Sequence, residues 1–277
     1  MAVDEYLLEL CRGGCADAAL RFYQWEPPAV SLGYSQAFDL LDLAACRDEG
    51  VDVVKRITGG GALLHWQELT YCLVLRRDSA AGAVRPRETA NAVSRSLVLG
   101  LSRLGVEARA RSRSRRPVER SDAAPAAEGT GSPEGRFTDL CFASGVENEI
   151  EVSGRKLAGC AHKLTREAFF SHGSVMTGPA HLRVARLLRQ HAGPSATRLA
   201  RSIAERSVSL SEVLQGAPAV DEMERELRSA FESVFALRFR TEGLSRDGAR
   251  LVGERAAEKR AALAAALQAV RSTGGAL

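Results

Sequence analysis

Val3, Tyr6, Leu7 and Leu10 stand at i, i+3, i+4 and i+7 and are followed by Gly13 and Gly14, a stripe that predicts an opening amphipathic helix ended by glycine. Residues 21–25 then alternate, Glu26-Pro27-Pro28 interrupts, and residues 29–34 resume a strand pattern, which predicts a hairpin or paired strands around a proline turn. A further strand is expected over 51–57, running into Gly59-Gly60-Gly61, and a third over 69–75. Helical spacing returns at Ala92, Val93, Leu97, Leu101 and Leu104, with Gly105 as a stop. Residues 140–146, 149–152 and 168–176 read as strands, with turns at Ser153-Gly154 and near Thr165. From about His181 onward the pattern is mainly helical.

Strands and helices therefore mix irregularly, with antiparallel hairpins and no regular βαβ alternation. That order predicts an α+β fold on a mixed, largely antiparallel sheet flanked by helices. Residues 1–277 are expected to form a single domain, with a motif-bearing core over 1–180 and a mainly helical part over 181–277. Within the core, residues 109–135 hold almost no bulky apolar side chain and read as a disordered surface insertion.

Composition narrows the classes. The 277 residues, 45% hydrophobic and 26% charged, can bury a full core without disulfide or metal staples. The six cysteines then read as reduced thiols. The formal charge of +4 comes mostly from the arginines at 109, 111, 113, 115, 116 and 120, too local a bias for a nucleic-acid binder. Asp4 and Glu5 stand where a secretory signal needs positive charge, and no run of about 18 uncharged apolar residues occurs. A cytoplasmic protein without membrane segments is expected.

Three segments carry candidate chemistry. Lys55 to His65 runs from a strand through three glycines and back into apolar residues; without Cβ atoms, the backbone N–H groups can approach an anion or a carbonyl. A flexible turn is the plainer reading. Gly154-Arg155-Lys156-Leu157-Ala158-Gly159 sets a lysine between glycines, either as a solvated hairpin residue or as a cation for a carbonyl, a carboxylate, a phosphate or a nearby thiol. Cys141 precedes it by fifteen residues and is either a small buried hydrophobe or, with a cation beside it, a nucleophile. Cys11 and Cys15 read as helix-face residues, and His162 and His172 lack the further ligands a metal site needs.

Taken together, Ser31-Leu32-Gly33-Tyr34-Ser35-Gln36, the 55–65 loop, Glu68-Leu69-Thr70-Tyr71, Gly154 to Gly159 and Ser171-His172-Gly173-Ser174 resemble the lipoate and octanoate attachment family. Its members include lipoate-protein ligases and protein octanoyltransferases, distantly related to biotin-protein ligases. The resemblance covers roughly residues 1–180 and implies a catalytic domain like the class II synthetase core. A ligase activates free lipoate with ATP and Mg²⁺; a transferase takes the acyl group from a thioester on acyl carrier protein and needs a thiolate.

Cys141-Phe142 matches the transferase position. By the resemblance, Cys141 is the nucleophile and Lys156 lowers its pKa, while Tyr34, Arg56, Thr58, Gly59, Gly60, Gly61, His65 and Gly159 line the site for the acyl chain and the acceptor lysine. No cofactor and no metal are then expected; ATP and Mg²⁺ belong to the ligase alternative. The implied partners are acyl carrier protein as donor and, as acceptor, glycine-cleavage H protein or 2-oxoacid dehydrogenase E2 domains. The chain ends about 100 residues after the last motif, without the extra C-terminal domain of larger ligases, which also favours transfer. Asn148-Glu149-Ile150 is intermediate between the two subgroups. Cys160, His162 and Ser171 depart from the pattern and motivate a third reading, a relative that binds lipoyl domains or acylated carrier protein without turnover.

Overall fold

The structure, a computed structural model, describes residues 1–80, 85–111, 140, 149–189 and 194–273. A six-stranded antiparallel sheet takes β1 (Ala18–Tyr23), β5 (Glu68–Arg76), β9 (Ala168–Met176), β8 (Arg155–Leu164), β7 (Ile150–Val152) and β6 (Arg109–Ala110) in that order. A second sheet of β3 (Asp52–Lys55), β2 (Ala29–Leu32) and β4 (Leu63–His65) pairs β2 parallel to β3 and antiparallel to β4. This is the expected α+β architecture.

Alternation along β5 and β9 divides the large sheet into two faces. Tyr71, Leu73, Leu75, Phe169 and Val175 point to one face, where Leu97 and Leu101 of α3 (Pro86–Arg103) and Leu227 and Phe231 of α6 (Val220–Phe235) cover them. The two helices approach closely at Gly100, where a Cβ would stand 2.7 Å from Leu227. On the other face Cys72, Val74, Ala168 and Phe170 pack under Leu8 and Cys11 of α1 (Ala2–Arg12). Farther along that face, Thr70, His172 and Ser174 turn towards the small sheet.

Three expectations change. The alternating stretches on either side of the prolines are strands, but β1 joins the large sheet and β2 the small one, so no hairpin forms. β2 is buried at all four residues and takes β3 and β4 as its partners, leaving no edge for β1. β8 is a ten-residue strand next to β9 where only a turn and a lysine segment were expected. The stretch expected to be disordered from 109 begins in β6, and Arg111 continues its ladder by donating its N–H to the Glu149 carbonyl. Residues 112–135 and the expected strand residues 141–146 lie outside the described residues.

The C-terminal part is helical as expected: a 3₁₀ stretch over Pro179–Arg186, then α4 (Pro194–Arg206), α5 (Leu210–Val213), α6 and α7 (Arg246–Thr273). α7 lies on α1 through Arg255–Glu9 and Lys259–Glu5 ion pairs, both 2.6 Å. A short helix, α2 (Leu43–Asp48), is capped by the Asp42 carboxylate accepting from the Ala44 and Ala45 N–H groups. Among the described residues, no helix is long and apolar enough to cross a membrane.

Candidate active site

β3 ends at Lys55, and from Arg56 the chain turns through Gly59, Gly60 and Gly61 before entering β4. Arg56 is buried and holds this turn from within. Its Nη1 donates to the Ser31 carbonyl at 2.8 Å and to Ser31 Oγ at 3.1 Å, and its Nη2 donates to the Gly59 and Gly61 carbonyls at 2.9 and 2.7 Å. The planar guanidinium thus fixes two loop carbonyls against β2.

Glycine is required where backbones meet. A Cβ at Gly33 would lie 2.0 Å from the Gly60 carbonyl oxygen, and Gly60 adopts φ +96°, whereas a Cβ at Gly59 would meet open space. Thr58 closes the loop's other side. Its Oγ1 is 2.6 Å from His172 Nε2, and its carbonyl accepts from the Tyr34 N–H at 2.9 Å. Burial holds His172 down to a pKa of about 3, so this contact joins a neutral imidazole to a hydroxyl. Tyr34 itself projects into solvent.

His65 is buried behind the loop, stacked on Trp25 with ring centroids 4.3 Å apart. Its Nε2 is 2.8 Å from Ser31 Oγ and its Nδ1 3.3 Å from Glu68 Oε1. Arg56 and His65 are therefore inner supports of the glycine loop.

Lys156 is buried as well, so it is not a solvated hairpin residue. Register explains its direction. Between β7 and β8 the pairing shifts at Ile150/Glu151, and Leu157 and Ala158 both enter the helix-side core. Such a bulge flips the alternation beyond it. Lys156 is turned away from that core, onto the face that carries His172 and Ser174. There its Nζ donates to Glu149 Oε1 at 2.5 Å, and Arg111 stands 3.7 Å from the second carboxylate oxygen. The Lys156 carbonyl accepts from the Val208 N–H, and Ser207 beside it meets His181 Nε2 at 2.8 Å.

Gly159, three residues along β8, is buried and pairs with Ser174. The three departures from the family pattern lie on the opposite, helix-covered face: Cys160 packs on its core, Ser171 meets the Tyr71 hydroxyl at 3.2 Å, and His162 packs against Phe169.

Cys141 lies outside the described residues. Its neighbour Leu140 is buried and pairs parallel with Ala62, at the end of the glycine loop. At the far end of 141–148, Glu149 touches Lys156. Sequence reasoning did not single out Ser31, Glu68, Glu149 or His172 as site residues. The one available signal was that all four stand inside the segments quoted above, Glu149 within Asn148-Glu149-Ile150. Among the described residues no group of three or more His, Cys, Asp or Glu gathers to hold a metal ion.

The lipoyl protein ligase A/B catalytic domain matches residues 1–232. An octanoyltransferase LipM from Symbiobacterium thermophilum is 37% identical over 237 residues, covering 85% of this chain and 80% of that protein. Another from Moorella thermoacetica is 32% identical over 248 residues, covering 88% and 85%. Among solved structures, that of a bipartite lipoate protein ligase and its E2 lipoyl domain from Thermoplasma acidophilum superposes with a TM-score of 0.70 at 20% identity, covering 91% of this chain and 84% of the other. Likeness of this extent makes the chain an enzyme, and it belongs to the lipoyl protein ligase A/B catalytic domain family.

Proposed function

We propose that this acyltransferase moves an octanoyl group from the thioester of octanoyl-acyl carrier protein to a lysine of a lipoyl-acceptor protein, in lipoyl cofactor assembly, with Cys141 as the covalent carrier. The thiolate of Cys141 attacks the donor carbonyl, a new C–S bond forms, and the carrier's thiolate leaves and takes a proton. The neutral ε-amine of the acceptor lysine then attacks the enzyme thioester. Its N–C bond forms as the Cys141 C–S bond breaks, and the amine's proton goes to the medium. Lys156 stabilises the thiolate at both ends of the cycle, and backbone N–H groups of the Gly59–Gly61 loop receive the carbonyl oxygen as its charge develops.

One observation carries this reading. Both chain neighbours of the 141–148 segment belong to the site, Leu140 at Ala62 beside the loop and Glu149 on Lys156. The octanoyltransferase names of the relatives that match over most of their length agree with it. The acceptor is a lipoyl domain, either of glycine-cleavage H protein or of a 2-oxoacid dehydrogenase E2 subunit. The activated donor makes ATP and Mg²⁺ unnecessary.

The test supplies a lipoyl domain with octanoyl-acyl carrier protein in one reaction and with free octanoate, ATP and Mg²⁺ in another. Octanoylation in the first alone is expected, together with its loss in Cys141→Ser. Modification that needs ATP and survives Cys141→Ser would establish ligation instead.

A further inference from the structure

Beneath the glycine loop runs a chain of hydrogen bonds in which the order of protons is fixed by its ends. The Trp25 indole can only donate, and its Nε1–H reaches Thr70 Oγ1 at 2.9 Å. The Thr70 hydroxyl must then donate onward, to Glu68 Oε1 at 2.6 Å. From the other side the Arg56 guanidinium, also donor-only, gives an N–H to Ser31 Oγ. The Ser31 proton is thereby directed to His65 Nε2 at 2.8 Å, which leaves His65 Nδ1 as the protonated nitrogen, facing Glu68 Oε1 at 3.3 Å. Ser174 Oγ also stands 3.3 Å from His65 Nδ1 and 3.4 Å from Thr70 Oγ1. In the reverse tautomer it could donate to Nδ1, but that lone pair would still face the Glu68 carboxylate, and Ser31 would have two donors and no acceptor among its partners.

Ser31, His65 and Glu68 stand in the order of a nucleophilic triad. Ser31 is completely buried, however, and its oxygen already accepts from Arg56, so it cannot meet a substrate. The chain ends instead on the residue that grips the Gly59 and Gly61 carbonyls.

We propose that Glu68 is a positioning residue which, through His65 and Ser31, orients Arg56 and so sets the direction in which the Gly59–Gly61 backbone presents its N–H groups. The second oxygen of Glu68 is buried without a partner, so the carboxylate's whole hydrogen-bonding capacity in the protein is directed at Thr70 and His65. The catalytic consequence rests on the loop receiving the acyl carbonyl, as proposed above; the proton order does not.

The experiment reads the two separately. Nitrogen-15 NMR of histidine-labelled protein, with the His65 signals assigned by their loss in His65→Gln, reports the tautomer. Protonation at Nδ1 in the wild type is expected, and protonation at Nε2 would overturn the proposal whatever the enzyme's activity. Glu68→Met and Ser31→Ala then interrupt the chain at its two ends. In folded protein each is expected to slow enzyme acylation about tenfold to a hundredfold while the KM for the lipoyl domain stays within about twofold, and Glu68→Gln, which keeps an acceptor oxygen, is expected to restore most of the rate. Should Glu68→Met fail to fold, Ser31→Ala alone carries the kinetic test. Acylation at the wild-type rate in a folded Ser31→Ala would overturn the proposal. Absence of any acylation in the wild type would refute the acyl-transfer reading, with the tautomer still deciding the hydrogen-bond order.

Discussion

The two sides of the site are held by different means. Around the glycine loop, one buried guanidinium and several hydroxyl and imidazole groups share the hold across many bonds. On the other side, the Lys156 ammonium is gripped by the Glu149 carboxylate at a bulged strand, with a main-chain bond to Val208 behind it. A distributed network fixes a backbone shape. An ion pair holds a charge that can turn from one partner to another. The first suits the proposed role of the loop in receiving a carbonyl in one orientation, and the second the proposed role of Lys156 beside a transient thiolate.

Substitutions can break this comparison, beginning with the largest effect. Arg56→Ala leaves the Ser31, Gly59 and Gly61 carbonyls without their donor. A loss of about 3–5 kcal/mol is expected, seen by calorimetry as a fall in Tm of roughly 10 °C. A fall of only one or two degrees would show that the loop does not depend on it. Gly33→Ala forces the Gly60 carbonyl away, at about 1–3 kcal/mol, and acylation should fall more than stability does. Gly59→Ala sharpens the point. Its Cβ meets open space, so Tm should hold, and any drop in acylation reports a substrate approaching the bare backbone.

On the lysine side, Glu149→Gln keeps an acceptor but removes the charge. About 1–3 kcal/mol of stability is expected to go, with a clear change in the pH profile of acylation. An unchanged profile would detach Glu149 from the chemistry.

The smallest effect is a pH dependence shared by both sides. Burial lowers His172, which meets Thr58, to about 3 and His181, which meets Ser207 beside Lys156, to about 4. Both are neutral when folded, so below pH 6.5 the unfolded chain binds protons first, and stability falls as pH drops from 6.5 towards those values. Between pH 7 and 6, His181 alone should account for less than about 1 kcal/mol. His181→Gln should flatten the Tm curve by that amount, and an identical curve would deny the burial effect.

Much of this architecture was legible in the sequence because α1, α3, β5 and β9 carry strong, uninterrupted periodicity. β8 was not, since Lys156, His162 and Lys163 interrupt its apolar pattern, and the pattern does not show that Glu149 takes up the Lys156 ammonium or that Phe169 packs on His162. The proline-flanked pair failed for a related reason: alternation identifies a strand but not the neighbour it chooses. The glycine loop could be recognised, yet its grip by Arg56 and the relay from Glu68 depend on β2, β4 and β5 meeting. Lys156 was singled out by its setting between glycines. Its direction rests on a bulge that flips strand parity, and no local pattern announces that flip.

The most direct test follows the acyl group itself. Octanoyl-acyl carrier protein is mixed with the enzyme without acceptor, quenched in acid, digested and mapped by mass spectrometry. An octanoyl thioester on the peptide containing Cys141, absent in Cys141→Ala and discharged by added lipoyl domain, is the expected result. An unmodified Cys141 in wild-type enzyme that still octanoylates the lipoyl domain would contradict the covalent relay.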